Sequence, residues 1–311
     1  MSTIPSTLAA QAHACRYPQP VPAAPVLGLA LLGPPEARVA GRLLRWRTRK
    51  ELALLAYLAV AGHPVPRETL VALLWPDSDA EHGRATLRRT LAFLRRGLET
   101  AAPGLAALVV AERDTLALRP GAGLALDTAR LAAATRGPEP ADAAGRAALL
   151  AELRAATAGY RGDFLQGFTP QAAAEFDDWA ATEREAWHGR QGRALGRLAH
   201  LEEAGGELAT AAETAARWAA HDPLDEAAHR ALVRLRLASG DRAGALAAYE
   251  RCRRALEREL GVAPGPELQA LAARARAAAP VHRPPPASAT PDPAALVAGP
   301  LVGRDAEFGT L

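Results

Sequence analysis

The stretch Ser78-Asp79-Ala80-Glu81-His82-Gly83-Arg84-Ala85-Thr86-Leu87-Arg88-Arg89-Thr90-Leu91-Ala92-Phe93-Leu94-Arg95-Arg96-Gly97-Leu98 contains the pattern on which the fold turns. Ser78 and Glu81 have the spacing of a capping box, in which each side chain answers a backbone donor left free at a helix start. From there, Leu87, Leu91, Leu94 and Leu98 fall in one stripe about 60° wide at 100° per residue. Arg84, Arg88 and Arg95 flank that stripe on one side, Arg89 and Arg96 stand almost opposite, and Thr86, Thr90 and Phe93 fill the remaining sector. A helix with a leucine seam turned inward and arginine and threonine turned outward has the chemistry of a groove reader. Arginine bonds phosphate or guanine O6 and N7, and threonine suits phosphate or the thymine methyl group.

The flanking segments give this helix a setting. Upstream, Val26–Leu32, Ala37–Val39 and the region of Leu43, Leu44 and Trp46 read as short strands of a small antiparallel sheet. Thr48-Arg49-Lys50-Glu51 is a second capping box, opening a helix with Leu52, Leu55, Ala56 and Ala59 on one face and stopping at Gly62 and Pro64. A shorter helix starts at Pro66-Arg67-Glu68 and ends at Pro76. Downstream, Leu108–Ala111 and Thr115–Leu118 flank Glu112-Arg113-Asp114, the pattern of a β-hairpin with an arginine at its tip. Three helices followed by a hairpin make a winged helix-turn-helix, whose wing reaches the adjacent groove.

Beyond Pro120 the composition turns to Ala, Leu, Glu and Arg with helical periodicity. Helices are expected from Leu126-Asp127-Thr128 through Leu131, from Ala141 to Tyr160, and from Glu175 to Ala204. The turn-like runs Ala204-Gly205-Gly206 and Ser239-Gly240-Asp241 echo each other at an offset of 35, close to the tetratricopeptide period. Trp179, Trp218, His229 and Tyr249 are expected to pack helix against helix rather than to line a ligand box. The fold class is therefore mainly α: a winged helix with small antiparallel sheets, then an all-α tetratricopeptide-like repeat.

Charge is divided along the same line. Residues 38–120 carry fourteen Arg or Lys against eight Asp or Glu, a net +6, leaving −3 for the rest of a chain whose total is +3. A basic unit joined to a slightly acidic one is the electrostatic pattern of local nucleic-acid binding. No run approaches the roughly 20 apolar residues of a membrane span. Residues 1–25 lack the basic start and apolar block of a signal peptide and are expected to be a disordered tail of a cytoplasmic protein. Cys15 and Cys252 have neither disulfide nor metal spacing. No enzyme is expected: the only lysine, Lys50, has no glycine loop before it, so there is no phosphate-binding loop, and neither H-E-x-x-H nor G-x-S-x-G occurs. No cofactor is implied. The competing reading is an adaptor whose winged helix and repeats both bind protein, although such a role requires no basic excess.

Taken in order, Thr48–Ala59, Leu74-Trp75-Pro76-Asp77 and Arg84–Arg96 resemble the Streptomyces antibiotic regulatory proteins. His229-Arg230-Ala231-Leu232, Ser239-Gly240-Asp241-Arg242 and Leu260–Glu267 resemble the bacterial transcriptional activator domain that follows the winged helix in that family. The resemblance covers about residues 26–276. It implies an OmpR-like winged helix at 26–120 that binds direct repeats in promoter duplex DNA. It also implies an activator domain at 121–276, dimerisation on DNA, and recruitment of RNA polymerase holoenzyme. The DNA-binding residues so implied are Arg84, Thr86, Arg88, Arg89, Arg95 and Arg96 on the third helix, Arg113 on the wing, and Arg49 and Lys50 as phosphate grips. Residues 277–299 read as a Pro/Ala linker, and Pro300–Phe308 resemble the opening of the ATPase domain of larger regulators of the family. The chain is accordingly expected to be the first part of a longer, ATPase-linked regulator ended by truncation or frameshift.

Overall fold

A computed structural model describes residues 26–121 and 123–277; the expected tail, the linker and the ATPase-like opening lie outside them. The elements run β1 (Leu27–Ala30), β2 (Glu36–Val39), β3 (Arg42–Leu43), α1 (Arg49–Ala61), β4 (Val65–Pro66), α2 (Arg67–Leu74) and α3 (Ala80–Ala101). A 3-10 turn leads into β5 (Val109–Ala111), β6 (Thr115–Leu118) and β7 (Leu124–Leu126). The remaining helices are α4 (Asp127–Ala134), α5 (Ala143–Ala158), α6 (Ala174–Ala204), α7 (Leu208–His221), α8 (Glu226–Ala238), α9 (Arg242–Leu260) and α10 (Pro266–Ala277). The class is the one expected, mostly helical with small sheets first and helical repeats after.

Two sheets bracket the first three helices. One has the order β3-β2-β1-β7, antiparallel except for β7, which lies parallel to β1 with Leu27 opposite Leu124. The other has the order β4-β6-β5, with Val109 opposite Leu118 and Val65 opposite Leu116. The leucine stripe of α3 closes the core between them: Leu87, Leu94 and Leu98 are at most 1% exposed and Leu91 7%. Both expected capping boxes differ in detail. At α3 the cap is Asp79, whose carboxylate accepts from the Glu81 and His82 backbone N–H groups, so the neighbouring charged side chain does the work expected of Ser78. At α1 the Thr48 hydroxyl donates to the buried Glu51 carboxylate, which also accepts from the backbone N–H of Arg47.

Strand β7 lies past the expected boundary at Pro120 yet completes the N-terminal sheet. The residue after it, Asp127, fixes the junction. Its carboxylate accepts from the N–H groups of Leu31, Leu32 and Thr128 at 2.7–2.9 Å, satisfying the end of β1 and the start of α4 together. Burial pushes this carboxyl above its ordinary range against the opposing pull of those donors. One apolar core then runs without a break from Leu27 through Phe164 and Phe176 to Leu198 and Leu201 of α6. Tyr57 of α1 meets Trp179 of α6 at 4.8 Å between ring centroids, and Trp179 also packs on Phe164 and Phe176. The second core belongs to α7–α10 and is built largely from Ala211, Ala215, Ala228, Ala245 and Ala248, none above 0% exposed. Small side chains at the contacts let helices approach closely.

The repeat echo is confirmed in kind and shifted by one. Gly206 (φ +81°) and Gly240 (φ +79°) take the same left-handed turn, 34 residues apart. The bonds around them coincide at that offset: Glu207 N–H donates to Glu202 and Asp241 N–H to Arg236, and Ala211 to Glu207 as Ala245 to Asp241. The sequence offset of 35 arises from matching Gly205 with Gly240. Gly205, at φ −77°, ends the helix in ordinary right-handed geometry, so the conformation that needs glycine sits one residue later. Trp179, Trp218, His229 and Tyr249 do not converge; His229 and Tyr249 are buried in the repeats, Trp218 packs against their core, and Trp179 sits in the first core. Cys252 is wholly buried, and burial pushes its thiol up to about 11, away from reactivity.

Candidate nucleic-acid interface

Helix α3, about 33 Å long at 1.5 Å per residue, presents a basic outer face with a basic concavity on each flank. On the wing side, a hollow of about 520 Å³ is lined by Arg67, Arg84, Arg88, Arg95, Glu112 and Arg113 together with Leu87 and Leu91. Arg88, Arg89, Arg96 and Arg113 are exposed and have no ion-pair or hydrogen-bond partner among the described residues. Arg84 reaches Glu68 at 3.6 Å, a solvent-exposed pair of little net worth that a phosphate can replace. Thr86 is half-buried on the flank away from the wing, the side that carries Phe93.

The wing needs no glycine. Glu112 N–H donates to Thr115 O at 3.0 Å, and none of Glu112, Arg113 or Asp114 has positive φ. Arg67 braces it from below: its backbone N–H donates to Asp114 O and its guanidinium to Glu112 O at 2.9 Å. This ties the start of α2 to the turn carrying Arg113. The second flank is a hollow of about 420 Å³ between α3 and the segment from β3 to α1, lined by Arg45, Trp46, Arg47, Phe93 and Arg96. There the Arg47 guanidinium lies 4.1 Å from the Phe93 ring centre. Arg45, Arg47 and Arg67 were not among the residues expected from sequence. Only the folding of β3 and β4 beside α3 brings them to it.

Three expected site residues are otherwise engaged. Lys50 donates to Leu74 O at 2.5 Å and to Ala172 O at 3.2 Å and lies over the Trp75 ring. It is a strut between the end of α2 and the loop before α6, and burial holds its ammonium below the ordinary lysine range. Arg49, at the same junction, donates to Gly167 O and lies 5.3 Å from the Phe168 ring centre. Arg95 donates to Val109 O at 2.7 Å, and its Nε is buried without a partner; it pins β5 to α3. The phosphate grip expected of Arg49 and Lys50 therefore gives way to packing of the first unit against the second.

A Lys50→Met variant separates the two roles. Loss of two charge-assisted bonds to carbonyls should lower unfolding stability by about 1–3 kcal/mol. DNA affinity measured well below the melting transition should stay within about threefold, because surface changes away from a contact matter little. A large loss of affinity with unchanged stability would return Lys50 to the interface.

Among the described residues no three His, Cys, Asp or Glu side chains gather as a metal site, and no helix is long and apolar enough to cross a membrane.

Comparison with known proteins bears on the chain as a whole. No curated protein matches it by sequence. Residues 126–276 match the family described as the bacterial transcriptional activator domain. The fold is similar to that of Mycobacterium tuberculosis EmbR, determined in complex with a low affinity phosphopeptide, with a TM-score of 0.61 at 24% identity. The similarity covers 81% of this chain and 65% of that one. The domain family is one of transcription regulators and not an enzyme class. Residues 126–276 therefore match the bacterial transcriptional activator domain, and the likeness to EmbR shows a shared fold over most of the described chain.

Proposed function

We propose that the chain is a sequence-specific, double-stranded-DNA-binding activator in which α3 enters the major groove and the β5–β6 wing contacts the adjacent backbone. The observation that carries this reading is a set of four exposed arginines, Arg88, Arg89, Arg96 and Arg113, without a partner among the described residues, on one continuous face with Arg84 and Thr86. Unpaired guanidiniums on one side of a helix raise the local potential without any internal compensation, which suits a polyanion. Arg89 stands opposite the leucine seam and Arg88 on its flank, and these two reach base edges. Arg113 and Arg84 on the wing side, and Arg45 and Arg47 on the other, take the two phosphate strands that border the groove. Arg95 and Arg67 hold the wing at its distance from α3.

In this reading residues 26–120 read DNA while 121–276 dimerise the protein on direct repeats and contact RNA polymerase holoenzyme. The protein acts in the cytoplasm, at the nucleoid. Selection of bound duplexes from a random pool tests it. Enrichment of two half-sites in the same orientation, spaced by about one helical turn of 10–10.5 base pairs, supports it. A pool without a common motif after repeated rounds contradicts it.

A further inference from the structure

Away from the basic face, a groove of about 620 Å³ runs across the helical repeats. Its walls come from α6, α8 and α10, the alternate helices of the stack, and its apolar floor from Ala199, Trp218, Ala231, Leu235 and Leu271. Gly196 lets the Trp218 ring lie flat against α6, since a Cβ there would meet the ring at 2.9 Å. Around this floor stand His200, Arg230, Arg234 and Arg274 against only Glu203 and Glu267. Arg234 pairs with Glu203 and Arg230 with Glu267. Arg274 is exposed and has no ion-pair partner among the described residues.

We propose that this groove docks an acidic peptide segment of a partner protein, with a leucine-sized side chain on the Trp218–Leu271 floor and carboxylates on Arg274, Arg230 and Arg234. Charge complementarity selects this occupant. The second unit is slightly acidic as a whole, yet arginine outnumbers carboxylate in the groove, so the cationic rim is local and opposes the charge of the unit around it. A rim of this sign over an apolar floor selects peptides that are both acidic and apolar. An open channel crossing three helices fits an extended or helical segment, as curved helical stacks provide. Arg230 and Arg234 are one turn apart on α8, so they line up along such a segment and can exchange their present glutamate partners for its carboxylates.

The test uses the full chain and fluorescein-labelled peptides read by anisotropy. The probes are an alternating Glu/Leu sequence, the same peptide with Ser for Leu, and the same peptide with Lys for Glu. The Glu/Leu probe should bind at least about tenfold more tightly than either control, a step of about 1.4 kcal/mol. Arg274→Glu reverses the unpaired charge without breaking an ion pair, and Ala231→Trp fills the floor without changing charge. Each should weaken the Glu/Leu probe by about tenfold or more. If Arg274→Glu fails to fold, Ala231→Trp alone decides. The pair Arg88→Ala and Arg89→Ala should leave probe binding unchanged, and excess duplex DNA should not displace the probe. Wild-type affinity in the groove variants, equal binding of the serine control, or loss of binding in the α3 variant each overturns the proposal.

Discussion

Replacing Arg88 and Arg89 with alanine should abolish site-specific DNA binding while leaving the fold intact. Both side chains are exposed and touch no carboxylate among the described residues, so removing them takes nothing from the core. Substitutions at such positions change stability by no more than about 0.5 kcal/mol. On DNA each guanidinium that meets a base edge is worth about 1–3 kcal/mol, so the pair should cost about 2–6 kcal/mol. That is roughly a 30-fold to 20,000-fold loss of affinity. Binding to unrelated duplex should fall less, because Arg84, Arg96 and Arg113 still neutralise phosphate. An adaptor that binds only protein through this face would show no DNA affinity to lose.

The second large effect concerns stability. Asp127→Ala strands the three backbone donors of Leu31, Leu32 and Thr128 where the first sheet meets α4. Each unsatisfied buried donor costs about 1–3 kcal/mol, and removal of a buried, poorly solvated carboxylate offsets part of this. The net loss should be about 3–5 kcal/mol, or a fall of roughly 6–20 °C in the melting temperature of a protein of this size. Because the sheet and α4–α6 share one core, the transition should fall as one, with no separate early melting of the winged helix. Asp127→Asn keeps one acceptor oxygen and should lie between. The carboxyl of Asp127 is raised in the folded protein, so its contribution is fully present below the unfolded value of about 3.9. It declines as pH rises through the folded value. The stability gap between wild type and Asp127→Asn should therefore be wider at mildly acidic pH than at neutrality. A gap that narrows on acidification, or an alanine variant within 1 kcal/mol of wild type by the same denaturant titration, contradicts this role.

What could be read in advance was what depends on local pattern. The α3 leucine stripe, the two hairpin strands and the long helix over 175–204 follow from periodicity, and all form, the last as Ala174–Ala204. Most helix starts were readable to within a residue, but α5, expected from Ala141, begins at Ala143 behind the Asp142 cap. Choosing between Ser78 and Asp79 as the cap depends on a backbone angle that sequence does not carry. Strand β7 was missed because three residues pairing in parallel with a strand about 97 positions earlier have no local signature; only Leu126 was read, as the opening of α4. The site divides in the same manner. The outward placement of Arg88, Arg89 and Arg96 was readable because their side of α3 is set by the same 100° geometry as the leucines. Lys50 and Arg95 were not, because their fates are decided by the carbonyls of Leu74, Ala172 and Val109. Those carbonyls are brought near by tertiary packing. Arg67 is the converse case: an unremarkable residue opening a short helix becomes the brace of the wing through β4–β6 pairing.

The most direct test of the central claim is the DNA affinity of the full chain as a function of salt, on a selected duplex and on a scrambled one. Five to eight arginines meeting phosphate should give a log–log slope of about −4.5 to −7, at about −0.9 per contact, with the selected duplex bound far more tightly throughout. No binding to either duplex at low salt by a folded protein would contradict the account and leave the basic face of α3 to a protein partner.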